Sequence, residues 1–240
     1  MARRGTVGTL LGSGLVLITA VGGAGGYGVG LLTTGDQAAA SGTAAPLGGM
    51  QTPTPSPSVT PSPTPPPKEI VPDDTKALTV DDLRYKTRAF TATSTLRSRV
   101  HLQVPSNWSF TQPDPPRIGR YTDPTGKRWI RIEAGFSIRR PPADSMAARI
   151  ADLRSVPASQ LLSIESETVD PDTGDATLVY TYVPDHAVRY VIVRWVANSD
   201  HLCTFEIATT GLPQDQAALE DILQHAADSA VRDDSAIQPG

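Results

Sequence analysis

Residues 176–208 read ATLVYTYVPDHAVRYVIVRWVANSDHLCTFEIA and carry the strongest strand pattern of the chain. Hydrophobic and polar residues alternate in three runs, 176–183, 189–197 and 201–208, and each run predicts a half-buried β-strand. Only short turns separate the runs, and strands joined by short turns pair in the antiparallel sense. The alternation places Val191, Val193 and Trp195 on one face, and it assigns a shared face to Cys203, Phe205 and Ile207.

The segments around this meander predict the rest of one domain. A fourth strand is predicted at 162–169, after a helix that Asp144 or Ser145 would cap beyond Pro141-Pro142. Two strands, 99–104 and 129–134, come before that helix, and a further strand is indicated near 84–90. The last helix carries a single apolar stripe made of Leu219, Ile222, Leu223 and Ala226. The prediction is therefore an α+β domain, with an antiparallel sheet flanked by two helices.

The chain before this domain predicts a membrane anchor. No charged residue occurs between Arg4 and Asp36, and about 20 apolar residues suffice to cross a bilayer as a helix. The positive charge of Arg3 and Arg4 places that end in the cytoplasm and the C-terminal domain outside the cell membrane. A signal peptide cleaved near Ala40, which would leave a secreted protein, is the alternative.

The organisation that follows has four parts: an anchor or signal peptide at 1–35, a disordered linker at 36–77, the extracytoplasmic domain at 78–232 and a flexible tail at 233–240. The anchor would contact the membrane through residues 7–32. Residues 52–67 of the linker hold eight prolines and seven serines or threonines. Such a tract forms a semi-rigid polyproline II stalk, which at about 3.1 Å per residue reaches roughly 50 Å.

The anchor also contains three glycines at intervals of four, Gly22, Gly26 and Gly30. Glycines at this spacing share one helix face and allow close packing of two helices in a membrane. A weak homodimer through this face is one interpretation, and compositional drift in a glycine-rich anchor is the other.

Two turn signatures carry a resemblance to a known family. The run Val104-Pro-Ser-Asn-Trp108, the turn Tyr121-Thr-Asp-Pro-Thr-Gly126 and the following strand, helix and meander resemble the PsbP-like superfamily. The resemblance covers about residues 96–232. Within this superfamily the chain is especially similar to exported domains of actinobacterial envelope proteins. It implies an α/β/α sandwich with an antiparallel sheet, a binding or accessory role, and no catalytic residues.

The residues that could carry chemistry predict no catalytic, cofactor or metal site. The four histidines and Cys203 do not share metal-ligand spacing, and Cys203 alternates with core residues. The segment Asp170-Pro-Asp-Thr-Gly-Asp175 lacks the ligand set of an EF-hand loop. No nucleophile elbow, phosphate loop or dinucleotide fingerprint occurs in the domain.

Charge is distributed unevenly along the domain. Residues 84–154 carry 14 Lys and Arg against 5 Asp and Glu, whereas residues 155–240 carry 3 against 14. The two halves either complement each other within the fold or form a two-sided surface. In the second case Arg97, Arg99, Lys127, Arg128 and Arg131 would face an anionic envelope polymer, lipid headgroups or an acidic protein partner. The net charge of −4 argues against nucleic acid. The predicted partner surface consists of Trp108, Arg120, Lys127, Arg128, Trp129 and Arg131, although both tryptophans could equally lie in the core.

These observations favour a membrane-anchored binding or accessory domain that contacts a protein or a cell-envelope component. An envelope hydrolase or transferase with a scattered site is one alternative. A structural spacer or a small-ligand sensor is another.

Overall fold

The computed structural model describes residues 68–113 and 115–237. The predicted anchor, its glycine face and the proline-rich centre of the stalk lie outside these residues. Within the described ranges, no helix is both long enough and apolar enough to span a membrane.

The described residues form ten β-strands and two α-helices. In chain order they are β1 (Tyr85–Thr93), β2 (Arg97–Pro105), β3 (Ser109–Thr111), β4 (Ile118–Thr122), β5 (Trp129–Glu133), α1 (Pro142–Arg154), β6 (Ser163–Val169), β7 (Ala176–Tyr182), β8 (Arg189–Ala197), β9 (Cys203–Gly211), α2 (Gln216–Ser229) and β10 (Val231–Ser235).

Seven of the strands form the main sheet, in the order β3-β4-β5-β9-β8-β7-β6. Strands β6 to β9 are the predicted meander, and each pairs antiparallel with the next. Strand β5 pairs antiparallel with β9, where Ile132 lies opposite Ile207. This long-range pairing joins strands β3 to β5 to the meander in one sheet.

The main sheet is covered on both faces, as alternation along β8 shows. Tyr190 and Ile192 are buried in the cluster that includes Leu219 and Leu223 of α2. Val191, Val193 and Trp195 point to the other face and are buried with Met146, Ile150 and Leu153 of α1. The two helices therefore lie on opposite faces of an antiparallel sheet, which confirms the predicted α+β class with two flanking helices.

A second, three-stranded sheet of order β1-β2-β10 was not predicted. Its inner residues, such as Val100 and Leu102, join the α2-side core. Close approach to the main sheet requires Gly119, since a Cβ there would lie 2.8 Å from the ring of Phe90. Strand β10 includes residues 233–235, which we had placed in a flexible tail. Its charged sequence hides the strand signal, and the hydroxyl of Ser98 on β2 donates to the carboxylate of Asp234 on β10.

Helix α1 begins earlier than predicted. Its first residue is Pro142, and Pro141 occupies the N-cap position, whereas Asp144 or Ser145 was expected to cap it. Proline is tolerated in the first turn because its missing N–H would have no helical partner there. Pro141 and Pro142 therefore open the helix.

A β-bulge changes the predicted position of Cys203. The register between β8 and β9 shifts at Val196/Ala197, so Cys203 is buried in the α1-side cluster while Phe205 and Ile207 face the α2 side. Cys203 is a free, buried thiol, as predicted. Burial raises its pKa to about 12, so the unreactive thiol form dominates at neutral pH.

Residues 68–77, which we assigned to the linker, pack against the domain as an irregular strap. The amide of Val71 donates to the carbonyl of His186 over 2.9 Å. Lys127 Nζ donates to both carboxylate oxygens of Asp73, at 2.7 and 2.8 Å, and to the hydroxyl of Thr75. These bonds from Lys127 and Thr75 hold the pKa of Asp73 well below its usual range. Charged contacts thus extend the folded unit by about ten residues beyond its predicted start.

Replacing Asp73 with Asn is expected to speed amide hydrogen exchange at Val71 by about fivefold, because a partly exposed ion pair contributes little more than about 1 kcal/mol to local closure. The matched control is Asp74→Asn, since Asp74 is exposed and adjacent in sequence. Equal exchange in both variants would mean that the Lys127–Asp73 contact does not hold the strap.

Candidate binding surface

The structure separates the six residues of the predicted partner surface. Trp108 and Arg128 are buried, with 4% and 3% of their surface exposed, and neither can contact a partner. Trp108 belongs to the α2-side core, which resolves its two interpretations in favour of the core. Lys127 is engaged with the strap. Arg120, Trp129 and Arg131 remain partly exposed.

Arg128 is buried because two carboxylates and a carbonyl enclose it. Its Nε and Nη2 donate to the two carboxylate oxygens of Asp215, at 2.7 and 2.9 Å. Its Nη1 donates to Asp123 over 3.2 Å, and Nη2 also reaches the carbonyl of Lys76. A buried guanidinium is tolerated only with such pairing, so Arg128 stabilises the junction of strap, β4–β5 turn and α2.

The three exposed members lie together on one face of the main sheet. Arg120 on β4 pairs directly with Arg131 on β5, and Trp129 lies two residues before Arg131 on the same face. Helix α1 covers another part of the same face, over β7 and β8. The part over β4, β5 and β9, together with the end of β7 at Tyr182 and the start of β8 at Arg189, forms the surface that we call the arginine shelf.

Two residues that we did not predict complete the arginine shelf. The guanidinium carbon of Arg120 lies 4.3 Å from the centroid of the Trp129 ring, and that of Arg189 lies 6.0 Å from it. Tyr182 pairs with Arg189 across β7 and β8. Arg189 alternates in step with Val191, Val193 and Trp195 along β8. The sequence alone could therefore have placed Arg189 on the same face of the sheet as those residues. Nothing in the local sequence, however, indicates that β8 lies close to Trp129.

Arg120 is the most unusual group of the shelf. The Nε atom of Arg120 is buried, and among the residues that the structure describes it has no hydrogen-bond partner. Burial lowers the pKa of Arg120, while the nearby Tyr182 acts in the opposite direction. A half-buried cation without a carboxylate partner carries a desolvation cost that an incoming anion would offset. Without a bound anion, Arg120 makes a cation–π contact with the indole of Trp129.

A network of charged groups adjoins the shelf. Arg131 and Arg149 both donate to Oε1 of Glu206, the latter over 2.6 Å, and Trp195 Nε1 donates to Oε2 over 3.0 Å. Glu133 lies opposite Glu206 on the neighbouring strand and approaches Arg117 and Arg131 at 3.7 and 3.6 Å. Glu206 is therefore held by three donors, an arrangement that fixes α1 to β9.

The two glutamates respond differently to this environment. Burial and the charge of Glu206 raise the pKa of Glu133. Burial would also raise the pKa of Glu206, but Arg131 and Arg149 outweigh it and lower that pKa. Opposite shifts of this kind can mark an acid–base pair. Here, however, Arg131 and Arg149 form ion pairs with the carboxylate of Glu206. We therefore interpret the two glutamates as part of an ion network that joins the sheet to the helix.

The charge asymmetry along the sequence is partly explained by pairs that join the two halves. Arg128 binds Asp215, while Arg131 and Arg149 bind Glu206. In each pair the cation belongs to residues 84–154 and the acid to residues 155–240. This supports the interpretation that the halves complement each other. Arg120 is not part of such a pair, and across the described ranges no group of three or more His, Cys, Asp or Glu could hold a metal ion.

The fold and this surface define an α+β domain with an exposed arginine–aromatic shelf. No protein-family model matches the chain, and no curated protein matches it. Among solved structures, the Ran-binding protein Mog1p of Saccharomyces cerevisiae is 11% identical, with a TM-score of 0.40, over 61% of this chain and 96% of its own. LpqN of Mycobacterium tuberculosis, described as involved in cell envelope biogenesis, is 13% identical, with a TM-score of 0.34, over 64% and 94%. Likenesses at this level identify no family, and the PsbP-like resemblance stays a prediction.

Proposed function

We propose that this protein is a membrane-anchored, extracytoplasmic binding or accessory domain whose contact surface is the arginine shelf. The observation that carries the proposal is Arg120, whose Nε is buried without a partner while its guanidinium rests on Trp129. Folding alone gives no reason to bury a cation in this way, because the desolvation cost is not offset by a carboxylate. A bound partner would supply the offset.

The composition of the shelf supports a partner that is a protein. Its row of Arg120, Trp129, Arg189 and Tyr182 consists of the residue types that dominate binding energy at protein interfaces. These side chains project from paired strands, which hold them more precisely than a loop would. The predicted anchor at 7–32 and the proline-rich stalk would present this surface outside the membrane.

Photo-crosslinking in the cells that make the protein tests the proposal. A photoreactive amino acid at Thr122, which lies opposite Trp129 on the shelf, is expected to capture a discrete partner in the full-length chain. The adduct should disappear in the variant Arg120→Gln/Arg189→Gln. It should persist in Arg97→Gln/Arg99→Gln, since these two exposed arginines lie on the outer face of the three-stranded sheet.

The alternatives give different results. A structural spacer predicts no adduct from Thr122 even when the protein is abundant at the membrane. An adduct that survives the loss of both Arg120 and Arg189 would mean that the partner uses another surface. Arg120→Gln/Arg189→Gln also loses the cation–π contact with Trp129 and the hydrogen bond from Arg189 to the carbonyl of Lys127. Thermal unfolding of both double variants should nevertheless stay cooperative and close to that of the wild type, which separates lost binding from lost folding.

A further inference from the structure

We infer that the arginine shelf binds an acidic, extended segment of a partner protein, with two carboxylates that engage Arg120 and Arg189. This inference rests on the proposed function and names the chemistry of the ligand. It starts from the geometry of the two guanidinium groups around a single indole.

Charge on this side of the sheet favours an anionic segment. Five arginines lie on or beside the shelf, Arg117, Arg120, Arg131, Arg149 and Arg189, and the facing acids are Glu133 and Glu206. The arginines outnumber the acids even when Asp185, which acts on Tyr182 from the adjoining turn, is counted. Glu206 and Glu133 are already engaged by arginines of the ion network. The positive excess is therefore concentrated at Arg120 and Arg189.

The spacing of the two cations suits a peptide. The two guanidinium carbons lie 4.3 and 6.0 Å from the Trp129 centroid, so they are at most about 10 Å apart. Alternate side chains of an extended strand project to the same side about 7 Å apart. Two acids in an i, i+2 arrangement can therefore reach both arginines. Arginine forks bind carboxylates in a bidentate manner, which adds geometric specificity.

The surroundings of Arg120 favour a peptide over a phosphate polymer. Trp129 offers apolar area between the cations, and Tyr182 lies beside Arg189 on the neighbouring strand. Backbone and side-chain carbons of a peptide can cover this area. A phosphate polymer is recognised mainly through its charge, and it would gain less than a peptide from contact with an indole between two arginines. The shelf therefore combines charge with an aromatic floor, as peptide-binding surfaces do.

Fluorescence anisotropy with the full-length protein in detergent tests this inference. The probe is a labelled octapeptide of alternating Glu and Ser, and its matched control has Gln in place of Glu. We expect saturable binding of the acidic probe at low salt. We also expect at least about tenfold weaker binding in Arg120→Gln/Arg189→Gln, since charge-assisted hydrogen bonds are lost. The Arg97→Gln/Arg99→Gln protein should bind within twofold of wild type.

Three results would overturn the inference: equal binding of the Gln peptide, unchanged affinity in Arg120→Gln/Arg189→Gln, or tighter binding of inorganic polyphosphate at matched charge. If the acidic probe fails but the Thr122 adduct in cells depends on Arg120 and Arg189, the proposed function stands and the acidic class is wrong. If the probe binds at the shelf but cells yield no adduct, the ligand chemistry stands and the proposed function is wrong.

Discussion

Replacing Asp215 with Ala is expected to lower the free energy of unfolding by about 3–5 kcal/mol, the usual effect of removing one partner from a buried ion pair. Asp215 is 0% exposed and binds Arg128 through both carboxylate oxygens. The same oxygens accept the amides of Leu78 and Leu212, at 2.8 and 2.9 Å. The variant therefore leaves a buried guanidinium with one weaker carboxylate partner, Asp123, and leaves two amides unsatisfied.

Urea unfolding of Asp215→Ala, Arg128→Ala and the double variant measures this effect. The double-mutant cycle should give a coupling of about 2 kcal/mol or more, because either single change exposes the same cost of an unpaired buried charge. The control Asp172→Ala alters an exposed turn residue and should stay within about 0.5 kcal/mol of wild type. Additive single effects would show that the pair is not coupled.

Replacing Glu206 with Gln is expected to destabilise the domain by about 1.5–3 kcal/mol at pH 7, the range for hydrogen bonds to charged groups. Gln keeps the shape of the side chain but removes the charge that Arg131 and Arg149 share. The change acts on the join between α1 and β9, so loss of α1 protection in hydrogen exchange should accompany it. The control Glu167→Gln lies on the exposed edge strand β6.

The effect of Glu206→Gln should depend on pH. The pKa of Glu206 is lowered in the folded protein, so the carboxylate contributes stability above its ordinary pKa, and this contribution is lost as pH falls through the folded pKa. Glu133 has a raised pKa, so its ionisation costs stability as pH rises from its ordinary pKa through the folded one. The variant also removes the Glu206 charge that raises the pKa of Glu133, which offsets part of the loss at pH 7. The lost Glu206 carboxylate is the larger effect because two arginines hold it, so the stability difference from wild type should be largest near pH 7. It should narrow below about pH 4. A constant gap from pH 7 to pH 3 would contradict this account.

Parts of the shelf were predictable because strand alternation is a local signal. The pattern around Trp129 and Arg131 places both on one face, and the structure confirms that they share it with Arg120. The prediction for Arg128 failed because the alternation ends at the strand boundary. Its partner Asp215 lies 87 residues further along the chain. From the sequence alone, a cationic residue beside a turn is predicted to be exposed, because the distant carboxylate that binds it cannot be identified.

Local sequence patterns suffice to predict the meander, the two helices and the α+β class. Each of these depends on residues within about one turn or one strand of each other, where backbone sterics and side-chain period act directly. Packing between distant segments, by contrast, establishes which cations are buried, which strand neighbours Trp129, where the strap is held and that β10 forms. These outcomes depend on pairs such as Lys127–Asp73 and Ser98–Asp234, whose members are distant in sequence and become neighbours only when sheets and helices have packed.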